Sequence, residues 1–212
     1  MSKGKLYILR HGESEWNATG QWTGLTNIHI TKKGEQDAEK MGEALTDVHF
    51  DIAYVSEQVR TLETLQAVLK TQGQTDLPYK KASAINERDY GEYTSMNKWQ
   101  VKDKVGEEKF NSIRRDWDCP IPGGEMLKDV YARAIPFYKE TIVPQLIEGK
   151  NVLIVAHGNS IRALMKYIDE ISDKDIASVE MIFGTILTYS VDEEGHCIAK
   201  DEQKIETALP PA

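Results

Sequence analysis

The chain has 212 residues, 40% hydrophobic and 28% charged, with 26 Lys+Arg against 34 Asp+Glu and a formal net charge of −8. That length buries a core without disulfide or metal staples and predicts one domain spanning residues 1–212. Net acidity argues against nucleic-acid and anionic-membrane partners, which require a dominant basic field, and leaves open a small anionic ligand met by a local basic cluster. Cys119 and Cys197 lack metal-ligand spacing and point away from a zinc site or a disulfide framework. The longest apolar run, Val152 to Ala156, is far below the roughly 20 residues that span a bilayer. The apolar stretch near the N-terminus is too short for a signal peptide, so the expected compartment is the cytoplasm.

Lys5 to Leu9 reads as a short buried strand ending at Arg10-His11-Gly12. Thr31 is placed to cap a helix through Ala38, Met41 and Leu45, apolar positions three and four apart. Ile52 to Val55 reads as a second strand. A helix follows from about Glu57 to Lys70, carried by Leu62, Leu65, Val68 and Leu69, and Gly73 and Pro78 punctuate the chain after it. Residues 84–124 are irregular, charged and aromatic, and read as a lid-like insertion of short helices and loops. Residues 125–146 have helical periodicity that Pro136 and Pro144 must kink or end. Val152 to Ala156 is a continuous apolar strand leading through His157-Gly158-Asn159-Ser160 into a helix carrying Ile161, Leu164, Met165 and Ile168. Thr185 to Val191 and Cys197 to Lys200 read as late strands, and the tail from Ala208 to Ala212, with two prolines, as mobile. The alternation predicts an α/β three-layer sandwich: a central, mostly parallel sheet with helices on both faces.

Two apolar strands end alike, at Arg10-His11-Gly12 and at Ala156-His157-Gly158. In open α/β sheets the ligand crevice lies beyond the carboxyl ends of the strands, so both histidines point there if the strands are neighbours. Gly12 and Gly158 allow a sharp turn and a close approach to a ligand, and the helix after Gly158 offers free N–H groups to an anion. An unprotonated imidazole can attack phosphorus, and nearby cations keep it neutral. The phosphoryl oxygens then need fixed positive charge. Arg10 adjoins the first histidine and Arg60 follows the second strand; the planar guanidinium fork suits phosphate. His29, His49 and His196 lack such a context and are read as surface or structural groups.

The segment Leu9-Arg10-His11-Gly12-Glu13-Ser14-Glu15-Trp16-Asn17 resembles the signature of the histidine phosphatase superfamily. Gln21-Trp22-Thr23-Gly24, Asn86-Glu87-Arg88-Asp89-Tyr90-Gly91, Met96-Asn97-Lys98, Ile113-Arg114-Arg115, Gly124-Glu125 and the stretch from Ala156 to Leu164 are similar to the cofactor-dependent phosphoglycerate mutases. That resemblance implies His11 as the phosphoryl-accepting nucleophile. It implies Arg10, Arg60, His157 and the Gly158 backbone as holders of the transferring group, with Asn17 as a further donor. Glu87 would be the general acid/base for the substrate hydroxyl. Ser14, Thr23 and Gly24 would contact the substrate's carboxylate or phosphate, Tyr90, Lys98, Arg114 and Arg115 would hold the distal phosphate, and Asn159 would complete the binding set. The implied cofactor is 2,3-bisphosphoglycerate, with no metal, and the implied partner is a small-molecule phosphoglycerate substrate; a monomer and a homodimer both remain open. Three departures stand out: Val59-Arg60-Thr61 where the family has Lys-Arg-Ala, Met181-Ile182-Phe183-Gly184 in place of a Pro-Thr-Gly-like turn, and a short segment between Arg115 and Gly124.

The reading is therefore interconversion of 3- and 2-phosphoglycerate through a phosphohistidine. The alternative is a phosphatase of the same superfamily that hydrolyses a small phosphorylated metabolite with the same catalytic groups. A non-catalytic phosphometabolite sensor would have lost His11 or Glu87, and neither is lost. No G-x-G-x-x-G or P-loop pattern supports a nucleotide site.

Overall fold

The computed structural model describes residues 3–207, and the tail expected to be mobile lies outside them. In chain order the elements are β1 (Lys5–Arg10), α1 (Glu15–Ala18), α2 (Lys32–Glu43), β2 (Ile52–Val55), α3 (Val59–Gln72) and β3 (Tyr79–Lys81). Then come α4 (Lys98–Val105), α5 (Glu107–Arg115), α6 (Leu127–Phe137), α7 (Val143–Ile147), β4 (Val152–Ala156), α8 (Gly158–Ile168), β5 (Thr185–Val191) and β6 (Cys197–Lys204). The six strands form one sheet in the order β3-β2-β4-β1-β5-β6. β1, β2, β3 and β4 run parallel; β5 pairs antiparallel to β1, and β6 to β5.

Strand alternation separates two cores, because successive side chains leave a strand on opposite faces. Leu6, Ile8, Tyr54, Val152, Ile154, Leu187 and Tyr189 face α6 and α8, joining Leu127, Val130, Ile161 and Leu164. Tyr7, Leu9, Ala53, Val55, Leu153, Val155 and Ile186 face α2 and α3, joining Ala38, Met41, Leu65 and Val68. The expected three layers are thus present. A third, smaller core lies within the irregular middle of the chain, where Tyr90, Val101, Phe110, Ile113, Cys119 and Ile121 gather around Trp22.

Local signals explain several boundaries. Thr31 caps α2, its hydroxyl accepting from Gly34 N at 3.0 Å. α3 ends on Gly73 at φ 101, a left-handed position that glycine adopts without steric cost. Pro136 and Pro144 sit at joints: α6 ends at Phe137, a π-helical stretch covers Tyr138–Ile142, and α7 begins at Val143. Val143 N–H reaches back five residues to Tyr138 O, and this wider turn brings the helix past Pro144, which has no N–H to donate. The sequence reading missed β3, a three-residue edge strand with every side chain exposed, and stopped β6 four residues short of Lys204. Among the described residues no helix is long and apolar enough to cross a membrane.

Candidate active site

Register places the reactive residues. Arg10 pairs with Ala156 across β1 and β4, and Val55 pairs with Val155 across β2 and β4. The residues that follow, His11, His157 and Ser56, therefore emerge side by side at the carboxyl edge. His11 N–H donates to Ala156 O at 2.9 Å, and the His11 and His157 ring centroids are 5.0 Å apart. Gly12 then passes α2 at close range, where an added Cβ would lie 2.4 Å from Gly34 O. The same atom on Gly158 would meet only the Arg10 guanidinium, at 3.9 Å. Neither glycine has positive φ, so what glycine provides here is the close approach and not a left-handed backbone.

Both histidines are buried. His11 Nδ1 lies 2.7 Å from Gly12 O, which can only accept, so Nδ1 carries the proton and Nε2 keeps its lone pair. His157 Nε2 lies 2.7 Å from Ser56 Oγ, and His157 Nδ1 has no protein partner. Burial, then the Arg60 and Arg10 cations, hold His11 well below the usual imidazole range. Burial, Arg60 and His11 do the same for His157.

A cavity opens beside this pair. Arg10, His11, Asn17, Thr23, Gly24 and Arg60 line it from the N-terminal part of the chain; Glu87, Tyr90, Lys98, Arg114 and Arg115 line it from the middle; Gly158 and Asn159 line it from the start of α8. Two expected site residues do not. His157 lies behind the lining, against His11. Ser14 is fully buried and caps α1: its hydroxyl donates to Asn17 Oδ1 at 2.8 Å, and its N–H donates to the same oxygen. Ser14 thus orients Asn17, which faces the cavity in its place. Val59, the departure beside Arg60, is also outside the lining.

The cations are held through backbone carbonyls. Arg60 donates to Thr26 O and Gly24 O at 2.8 and 2.9 Å, fixing the loop that carries Thr23. Arg10 donates to Met181 O at 2.6 Å and stacks on Phe183, 3.8 Å from the ring centroid. The unusual Met181–Gly184 turn therefore builds the Arg10 clamp. Arg10 Nε, Arg60 Nε and Thr23 Oγ1 have no protein partner, a donor set that fits an anionic ligand. Burial lowers Arg10 and Arg60 to about 10, against the opposing pull of Glu87, and both stay charged at neutrality. Burial, then Arg10 and Arg114, lowers Lys98 to about 8.

Glu87 is fixed by its Oε1, which accepts from Arg88 N at 2.7 Å and from Asn159 Nδ2 at 3.1 Å. Asn159 Nδ2 also donates to Tyr90 Oη at 3.0 Å. Behind Glu87, Arg133 grips the loop backbone, donating to Ala84 O, Asn86 O and Glu87 O and to both oxygens of Glu125. Glu125 in turn accepts from Asp89 N at 2.9 Å.

Sequence reasoning assigned no role to Arg133, Arg162 or Glu180. Arg162 lines the cavity and donates to Asn159 Oδ1, Arg115 O and Ile176 O, joining α8 to the end of α5. Its place in the quoted stretch after His157 was the available signal. Glu180 lines the cavity and forms an ion pair with Arg115. His29, His49 and His196 are exposed, as expected for residues outside a site.

Comparison with known proteins places the chain in a family. The family model of the Histidine phosphatase superfamily (branch 1) matches residues 6–200. A protein of Cytophaga hutchinsonii named 2,3-bisphosphoglycerate-dependent phosphoglycerate mutase is 44% identical over 184 residues, covering 87% of this chain and 86% of its own. A protein of the same name from Parvibaculum lavamentivorans is 37% identical, covering 92% and 94%. Among solved structures, Bacillus stearothermophilus YhfR superposes with a TM-score of 0.80 at 26% identity, covering 97% of this chain and 96% of its own. A mycobacterial glucosyl-3-phosphoglycerate phosphatase shares the fold, with a TM-score of 0.80 at 19% identity, covering 98% of this chain and 100% of its own. The chain belongs to the histidine phosphatase superfamily and, within it, to the family of the 2,3-bisphosphoglycerate-dependent phosphoglycerate mutases.

Proposed function

We propose that the protein interconverts 3-phosphoglycerate and 2-phosphoglycerate, with His11 carrying the phosphoryl group. The observation that carries this reading is one neutral, buried histidine facing a cavity whose lining carries Arg10 and Arg60 and, in addition, Lys98, Arg114 and Arg115. A hydrolase acting on one phosphate needs the first set; a mutase must also keep hold of a second anionic group while the ligand turns.

His11 Nε2 forms the bond to phosphorus as the phosphorus–oxygen bond of the donor breaks. Arg10, Arg60, Asn17 and the Gly158 N–H stabilise the transferring oxygens, a charge-preorganised arrangement worth most in a site shielded from water. His157 adds its Nδ1–H while Nε2 accepts from the Ser56 hydroxyl. Glu87 takes the proton of the attacking substrate hydroxyl and returns it to the departing oxygen in the reverse transfer. Thr23 and Gly24 contact the substrate carboxylate or phosphate, Asn159 and Tyr90 hold Glu87 and the ligand in register, and Lys98, Arg114 and Arg115 retain the distal phosphate. When bound, 2,3-bisphosphoglycerate supplies the phosphoryl group that charges His11; the cations and unpartnered donors named above are those that would hold it. In this reading no metal takes part, residues 1–212 act as one domain, and residues 84–124 close over the ligand. The activity belongs to glycolysis and gluconeogenesis in the cytoplasm, in a monomer or homodimer without nucleic-acid or membrane partners.

The test is conversion of 3- to 2-phosphoglycerate with and without trace 2,3-bisphosphoglycerate, with free phosphate monitored. Cofactor-stimulated isomerisation with little phosphate release, lost on His11→Ala, is the expected result. Phosphate release without isomerisation would move the protein to the phosphatases and withdraw the roles of Lys98, Arg114 and Arg115.

A further inference from the structure

Glu87 and Glu180 are the two carboxylates among the described residues lining the cavity. Glu87 has a place in the chemistry proposed above; Glu180 has none. Its carboxylate pairs with the Arg115 guanidinium, on which Arg114 acts and which in turn acts on Lys98. Glu180 therefore stands where a ligand's second anionic group would go.

The two partners of this ion pair are unequally held. Arg115 ends α5, and its carbonyl oxygen accepts from Arg162 Nη2 at 2.6 Å. Glu180 belongs to the irregular stretch between the 3-10 turn ending at Ser178 and β5. The Glu180 side chain is 40% exposed against 21% for Arg115. The carboxylate thus has the more open route to water, while the backbone that carries Arg115 is held. An ion pair this open contributes little net stability, so a dianionic phosphate with three acceptor oxygens can replace a single carboxylate on the same planar donor fork.

We propose that Glu180 is the resident counter-anion of the distal end of the cavity. It occupies Arg115 in the free protein, is displaced when the second anionic group of a ligand arrives, and thereby sets how strongly the site prefers ligands with two anionic groups over ligands with one. The proposal rests on the mutase reading insofar as it takes the distal cations to be a second anion subsite. Removing the charge at position 180 therefore tightens binding of two-anion ligands and leaves one-anion ligands at the His11 end unaffected.

The experiment is calorimetric titration of the full chain with propane-1,3-bisphosphonate and with methylphosphonate, whose carbon–phosphorus bonds preclude transfer to His11. Glu180→Gln and Glu180→Ala are both expected to bind the bisphosphonate about fivefold more tightly, the scale of one partly exposed ion pair, with methylphosphonate binding unchanged. Unchanged or weaker bisphosphonate binding in both variants would show that Glu180 pre-orients Arg115 instead, and would overturn the proposal. Tightening by Gln but not Ala would assign the gain to a new amide contact and overturn it equally. Equal tightening for both ligands would mean a general field effect, with the same consequence. Failure of the mutase reading gives a separate signature: an unmodified protein that binds bisphosphonate no better than methylphosphonate.

Discussion

His11 and His157 lie with ring centroids 5.0 Å apart and are anchored through different nitrogens, His11 by Nδ1 on the Gly12 carbonyl and His157 by Nε2 on the Ser56 hydroxyl. Each ring therefore keeps the opposite nitrogen available, and the two free nitrogens have different tasks in the proposed mechanism. Ser56→Ala removes the anchor of His157 without touching His11. It is expected to slow phosphohistidine formation by on the order of tenfold or more while leaving substrate binding near its original strength, as read by rapid-quench measurement of the labelled enzyme.

The same burial makes the fold acid-sensitive. Both histidines titrate below their unfolded value of about 6.5. Above that pH neither state binds the protons; below it the unfolded chain takes them up and the folded chain does not. Stability is therefore fully present above about pH 6.5 and falls as pH drops, by up to about 1.4 kcal/mol per pH unit for each histidine. Urea midpoints between pH 7.5 and 5.5 test this, and His11→Asn is expected to remove about half of the slope these two residues contribute.

Lys98 gives a pH dependence of the opposite sense in binding. Its ammonium is lowered to about 8, chiefly by burial and then by the Arg10 and Arg114 charges. As pH rises through that value the free protein loses a cation from the cavity lining. KM for phosphoglycerate is expected to climb above pH 8, and Lys98→Arg, whose charge persists, is expected to flatten the rise. A flat KM profile between pH 7 and 9.5 in the unmodified protein would remove Lys98 from the binding set.

Arg133 holds the carbonyls of Ala84, Asn86 and Glu87 and both oxygens of Glu125. Replacing it by Ala leaves the Glu87 loop without that clamp, and displacement of a catalytic group by about 1 Å costs on the order of a hundredfold. The expected result is a fall of that size in kcat with KM changed less than threefold. Charging of His11 should suffer less than transfer to the substrate hydroxyl. Lys, which cannot reproduce the planar fork, is expected to rescue little.

Distal retention is tested by Arg114→Ala combined with Arg115→Ala. Transfer to phosphoglycerate is expected to fall more than phosphohistidine formation, and release of free phosphate per turnover to rise. Equal loss of both steps would count against a distal role.

The strands that carry the site were legible because burial on both faces leaves continuous apolar runs, as in Val152–Ala156, and because two such runs end in His-Gly. β3 was not, since all three side chains of Tyr79–Lys81 are exposed and no apolar run marks it. Periodicity located residues 125–146 as helical and its prolines as interruptions, but the π-helical accommodation depends on hydrogen-bond register, which composition does not encode. Within the site, residues with a quoted motif around them were assigned, and the cavity gathers most of them. Arg133 and Glu180 were missed because the carbonyls that Arg133 grips lie 46 and more positions away and the partner of Glu180 lies on a separate helix. Ser14 was assigned to the ligand although its hydroxyl serves Asn17: a signature marks both the group that touches a ligand and the group that aims it.

Trp22 belongs at once to the cavity wall and to the small core of the middle segment, stacked on Tyr90 at 5.5 Å and packed against Phe110. One indole thus makes local unfolding of α4 and α5 and occupancy of the cavity draw on a shared contact. In the proposed reading, a ligand resting on that wall would restrain two helices that line the cavity at Lys98, Arg114 and Arg115, so amides buried around Val101 and Ile113 are expected to gain protection against solvent exchange when the cavity fills. The middle segment would thereby report occupancy through its own local stability.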